Sequence, residues 1–128
     1  MGWQFYGHAS VFGAPDLQGD VFVQGCFRNW LANPAHINIP MLNGHDPNLR
    51  IGRWVRMHED GYGLFVIGEL NDGLPPCIGV GLSITPVNSQ GSAIPSVWGG
   101  SLCRVTDIAE ISIVTAPSNL GARIMGAW

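Results

Sequence analysis

The sequence predicts a mainly β protein, a mostly antiparallel barrel or sandwich with one short helix. Three observations carry that expectation. Eighteen glycines and nine prolines cut 128 residues into short pieces, the punctuation of a β-rich chain. The pieces between them are dense in aromatic and β-branched residues, and only one stretch has helical spacing.

Taken in order, WQFYGHASVFG (3–13) is a strand closed by Gly13 and the Pro15-Asp16 turn signal, and DVFVQG (20–25) is a second, shorter one. CFRNWLAN (26–33) sets Phe27, Trp30 and Leu31 at i, i+3 and i+4 on one helical face, and Asn33-Pro34 stops it. INIPML (37–42), RIGRWVRMHE (50–59) and GLFVIGEL (63–70) are strands. The middle one alternates, with Arg50, Gly52, Trp54, Arg56 and His58 on one side and Ile51, Arg53, Val55 and Met57 on the other. EDGYG joins the last two as a hairpin with Asp60-Gly61 at its tip. NDGLPPCIG (71–79) is a loop, VGLSITPV (80–87) a strand and NSQGSAIPSVWGGS (88–101) a long loop. LCRVTDIAEISIVTAP (102–117) supplies one long strand or two consecutive ones. No internal repeat and no linker interrupts the chain, so residues 1–128 are expected to form one domain.

Composition excludes several classes. Apolar residues make up 46% and charged residues 12%, the opposite of a disordered chain. The net charge is −3, with no lysine and six arginines of which only Arg50, Arg53 and Arg56 lie close together. That is no footprint for nucleic acid. Cys26, Cys77 and Cys103 stand far apart without C-x-x-C spacing, which fits buried thiols in a reducing compartment. MGWQFYGH lacks the basic and apolar regions of a signal peptide, Tyr6 spoils a myristoylation signal, and no apolar window is long enough to span a membrane. His8, His36, His45 and His58 show no metal-ligand spacing, and Walker and Rossmann patterns are absent. Neither a metal nor a cofactor is expected.

The chemistry that remains is nucleophilic. In GVGLSITP, Ser83 shares a strand face with Gly81 and Thr85, and Gly81 leaves room beside it. Taken alone, such a serine is a small filler bonded to backbone. In DIAEISIVTAP, Glu110 shares a half-apolar face with Ile108, Ser112 and Val114. A carboxylate buried there needs a cationic or protonatable partner, for which His45 and any of the arginines are candidates. Asp46 is adjacent to His45, but neighbouring side chains on an extended chain diverge, and Asp46-Pro47 reads as a turn start. A Ser–His dyad needs a third group to fix the imidazole, and Glu110 can reach across the sheet to do so. Two rival nucleophiles read as structural. Ser10 lies about 7 Å along the strand from His8, and Ser112 beside Glu110 has only a carboxylate to activate it.

Five stretches in order then resemble one family. GHASVFGAPDLQGDVFVQGCF, IPMLNGHDPNLRIGRW, GYGLFVIGEL, GLSITP and IAEISIVTAPSNLGARI are similar to the successive motifs of the HK97-type prohead (capsid maturation) proteases of tailed phages and phage-like elements. The resemblance spans nearly the whole chain. It implies a herpesvirus-assemblin-like β-barrel with flanking helices and a serine endopeptidase with nucleophile Ser83, base His45 and acidic member Glu110. The proximity of His45 to Ser83 rests on that resemblance. The implied partner is a substrate, the scaffold protein or the scaffolding segment of the major capsid protein, inside a procapsid in the bacterial host cytoplasm; homo-oligomerisation is left open. The chain departs from the family in keeping only NDGLPPCIGV where relatives carry a helical stretch, in Thr85-Pro86 where they carry glycine and an aromatic residue, and in His8 for tyrosine. The short segment and low charge also suit a second reading, a non-catalytic minor capsid, cement or connector protein on the same barrel. A generic ligand-binding barrel gains nothing specific.

Overall fold

In the computed structural model the described residues are 2–13, 20–73, 80–87, 90–95, 101–104, 107–115, 117, 119 and 121–128, with no side chain described at 20, 86–87, 90–95, 101–104 and 107. The elements run β1 (Gln4–Val11), β2 (Asp20–Phe22), α1 (Arg28–Ala32), a 3-10 helix (Pro34–Asn38), β3 (Met41–Asn43), β4 (Asp46–Glu59) and β5 (Gly63–Leu70). They continue with β6 (Gly81–Val87), β7 (Gln90–Pro95), β8 (Ser101–Arg104), β9 (Asp107–Val114) and β10 (Ile124–Ala127). The main sheet has the order β10-β1-β5-β4-β3-β9-β6, and β2-β8-β7 form a small second sheet.

The main sheet curls until its end strands meet. Gly81 bridges Arg123, Leu82 N–H donates to the Ala122 carbonyl at 2.8 Å and Ile124 N–H donates to the Val80 carbonyl at 2.9 Å. The fold is mainly β, as expected. Pairing is antiparallel except between β3 and β9 and between β2 and β8.

Inside the curl, β5 shows the expected strand period, with Leu64, Val66 and Leu70 buried on the inner face. Gly68 completes that row because nothing larger fits. A Cβ there would come within 2.6 Å of both Met41 Cε and Phe5 Cζ, so its absence lets Phe5 and Met41 lie across the strand. Phe5 meets Trp54 edge to face at 5.8 Å, and Phe22 stacks on Phe27 at 5.7 Å.

The helical face is there, but the helix is short. Phe27 and Trp30 are buried and Leu31 packs against the core. The α-helix ends at Ala32, and Asn33 turns the chain into the 3-10 helix by accepting the Ala35 N–H on its side chain at 3.0 Å, with Pro34 next. Ile37 and Asn38 therefore belong to that helix, and β3 begins only at Met41. The alternation expected along 50–59 breaks. Trp54 pairs with Gly68 and Arg56 with Ile67, so Val55 is an extra, bulged residue. The bulge shifts the phase and brings Trp54 and Met57 to the same buried side. The glycine-containing stretch 88–101, expected as a loop, contains β7 and the first residue of β8. Segment 102–117 resolves into β8 and β9, which belong to different sheets. Most of the 71–79 stretch, with Cys77, lies outside the described residues. Cys26 is buried. Among the described residues no helix is long and apolar enough to cross a membrane.

The Asp60 hairpin forms as expected. Asp60 Oδ1 accepts the N–H groups of Tyr62 and Gly63 at 2.8 and 2.9 Å, and Oδ2 meets the Nε2 of buried His8 at 2.6 Å. Burial pushes this carboxyl up, but the His8 bond, the two backbone N–H donors and the His8 charge outweigh it and hold Asp60 below its ordinary value. A carboxylate depressed in the folded state contributes stability that is complete above the unfolded value of 3.8 and is lost as pH falls through the folded one. Asp60→Asn keeps the turn acceptor and removes the charge. Urea unfolding of the two proteins is expected to differ at pH 7 and to converge as the pH drops below about 3.8.

Candidate active site

The three strands at one end of the main sheet, β3, β9 and β6, carry or adjoin His45, Ser83 and Glu110. β3 runs parallel to β9, with Leu42 opposite Ser112 and Asn43 opposite Ile113. It then reverses into β4 through a two-residue turn, because Asn43 pairs with Asp46. The turn residues Gly44 and His45 have φ values of 61° and 64°, the sign pattern of a type I′ hairpin. His45 thus neither ends a strand nor lies in one. It sits in the left-handed region, which costs a non-glycine residue about 1 kcal/mol or more. Two hydrogen bonds hold the turn there. Gly44 N–H donates to the Ile113 carbonyl at 2.9 Å, and His45 N–H donates to Ser112 Oγ at 2.9 Å.

From this turn the imidazole reaches β9. Nδ1 of His45 lies 2.5 Å from Glu110 Oε1. With the carboxylate ionised and the imidazole neutral, that bond selects the tautomer in which Nδ1 carries the proton and Nε2 the lone pair, because an ionised carboxylate only accepts. The His45 side chain is 44% exposed and that of Glu110 10%, so the imidazole is open to an incoming group while its partner is not.

Glu110 is saturated with donors. Oε1 also accepts the Thr85 hydroxyl, which lies 3.3 Å from Nδ1 as well, and Oε2 accepts the Ser112 hydroxyl at 2.5 Å. Three donors offset the desolvation of a carboxylate set among isoleucines, since hydrogen bonds to charged groups contribute about 1.5–3 kcal/mol each.

Ser83 lies on β6, directly opposite Ser112, with Thr85 opposite Glu110. Paired residues of an antiparallel ladder share a face, so Ser83, Thr85, Ser112 and Glu110 form a polar cluster on one side of the sheet. The structure therefore joins His45 to Glu110 by a hydrogen bond and sets Ser83 on the adjacent strand, one residue pair away. Among the described residues no hydrogen bond links Ser83 to His45; such contacts commonly tighten only when substrate binds. The room expected beside Gly81 is filled, because a Cβ there would fall 2.5 Å from the ring of Pro117.

Of the rivals, Ser112 has its proton committed to Glu110, and Ser10 Oγ is buried with no hydrogen-bond partner among the described residues. Asp46 accepts the Asn48 N–H on Oδ1 at 2.9 Å, but the turn expected to start at Asp46-Pro47 lies just before it, at Gly44-His45, and Asp46 is the first residue of β4. Among the described residues no three His, Cys, Asp or Glu side chains are gathered as a metal ion would need. Sequence reasoning did not single out Thr85 or Ser112 for the site. The strand period was the available signal, since both stand two residues from a candidate on the same face.

A family model described as caudovirus prohead serine protease matches residues 2–74, more than half the chain. The chain belongs to that family. It is 30% identical to the prohead protease of Enterobacteria phage HK97 over 132 residues, covering 94% of this chain and 58% of that protein. It thus spans rather more than half the length of this curated relative. In fold, this chain is similar to the KSHV protease, crystallised with a hexapeptide phosphonate inhibitor, at a TM-score of 0.62 and 15% identity. That similarity covers 100% of this chain and 65% of the viral one, and it bears out the assemblin-like architecture. The family match includes His45 and ends before Ser83 and Glu110.

Proposed function

We propose that this prohead protease family member is a serine endopeptidase of capsid maturation, with Ser83 as nucleophile, His45 as general base and Glu110 as the group that orients the base. The observation that carries the reading is the His45–Glu110 bond, which uses Nδ1 and not Nε2 and is made to a strand whose neighbour bears Ser83. Ser83 Oγ bonds to the scissile carbonyl carbon as His45 Nε2 takes its proton, and Glu110 stabilises the resulting imidazolium. Collapse of the tetrahedral intermediate breaks the C–N bond, and Nε2 returns the proton to the departing amine. Water then repeats the sequence on the acyl-enzyme. The substrate is the scaffold protein or the scaffolding segment of the major capsid protein, and the place of action is the procapsid in the bacterial host.

The test is covalent labelling with a peptidyl diphenyl phosphonate, which reacts with activated serines. Intact mass and peptide mapping are expected to show one adduct, on Ser83, and none in Ser83→Ala. The chain is labelled alone and together with its own major capsid protein. No adduct in either condition, or an adduct on another residue, would overturn the assignment and favour a non-catalytic virion component.

A further inference from the structure

Ser112 makes two bonds that converge on the candidate base from different directions. Its hydroxyl accepts the His45 backbone N–H at 2.9 Å and donates to Glu110 Oε2 at 2.5 Å. A hydroxyl has one proton, and both partners fix its direction, since the amide only donates and the carboxylate only accepts. Ser112 is fully buried, so water does not substitute for either bond. We propose that Ser112 is the positioning residue of this site, locking the His45 turn and the Glu110 carboxylate into one geometry. The proposal rests on the catalytic reading of His45, Ser83 and Glu110.

His45 occupies a left-handed conformation at φ 64°, unfavourable for a residue with a Cβ, and it stays there only while its surroundings hold it. The Ser112 bond acts on His45 itself. The same hydroxyl occupies Glu110 Oε2, which turns Oε1 toward Nδ1 and leaves the carboxylate no rotation that keeps all its donors. Base and orienting group come from segments 65 residues apart in sequence, and Ser112 ties them together two residues from Glu110. It is not a second nucleophile, because its proton already belongs to the carboxylate.

The test uses the full chain. Ser112→Ala is expected to lower the maximal rate of Ser83 phosphonylation, kinact, on the order of 10- to 100-fold, the scale of a misplaced reacting group, with KI within about twofold. In Ser83→Ala protein, where no turnover intrudes, proton NMR is expected to show a downfield His45 Nδ1–H signal that Ser112→Ala shifts upfield or removes. Should Ser112→Ala fail to fold by circular dichroism, Ser112→Cys serves, nearly isosteric and a weaker donor, with a smaller loss in the same two readouts. Unchanged kinact and an unshifted signal would overturn the proposal, as would an effect on KI alone. Labelling that survives Ser83→Ala would instead remove the catalytic reading, so the two failures are distinguishable.

Discussion

Ser83→Ala is expected to abolish trimming of a co-expressed major capsid protein, and adding His45→Ala to it is expected to change nothing further. His45→Ala alone removes the proposed general base, a step worth roughly 10²- to 10⁴-fold in rate. Residues that act as one unit are strongly non-additive, so once the nucleophile is gone the base has no proton to take. Gel mobility and intact mass of the capsid protein measure the result. Trimming that persists in Ser83→Ala needs another nucleophile. Neither rival serves, with Ser10 Oγ buried and lacking a hydrogen-bond partner among the described residues and Ser112 bonded to Glu110. Such an outcome would move cleavage to a different protein. Absence of trimming with the unaltered chain would favour the minor capsid, cement or connector reading.

Much of the main sheet was legible because its strands obey local rules. β5 carries the period of two, and the Asp60 hairpin carries its own turn chemistry. Glu110 was legible as a residue in need of a partner, since a carboxylate among isoleucines is costly unless paired. Which partner it takes was open between His45 and the arginines, because that depends on where β3 docks. β3 has three residues, and its parallel pairing to β9 is a long-range event that no window of sequence contains.

The same cause explains the errors. The bulge at Val55 is imposed by the register between β4 and β5, and a one-residue phase shift overturns an alternation that looked regular. β7 and β10 are short, and each exists because another strand offers it a ladder, β8 in one case and β1 in the other. Ser112 was read as structural because it sits beside a carboxylate that cannot activate it. Its bond to His45 appears only when a turn 67 residues earlier folds over β9. The turn itself is a matter of register, because pairing Asn43 with Asp46 puts His45 in the left-handed position.

Glu110→Gln separates an orienting carboxylate from one that merely fills the sheet. The amide is nearly isosteric with the carboxylate, but it cannot accept from His45, Thr85 and Ser112 together. If its NH2 faces His45, it donates to Nδ1 and drives the imidazole proton onto Nε2, where it blocks acceptance from Ser83. If its carbonyl faces His45, the NH2 confronts Ser112 Oγ, which already accepts the His45 N–H and then loses the acceptor for its own proton. Either orientation leaves a buried group unsatisfied. Phosphonylation at pH 7 is expected to slow by about 10⁴-fold, the loss that follows when the carboxylate of a serine protease triad becomes an amide, with KI little changed. A filler role predicts a different pattern, a lower melting temperature with Ser83 labelled at the native rate. The two readouts move independently because the charge of Glu110 acts on Nδ1, whereas its bulk acts on the packing between β9 and β6.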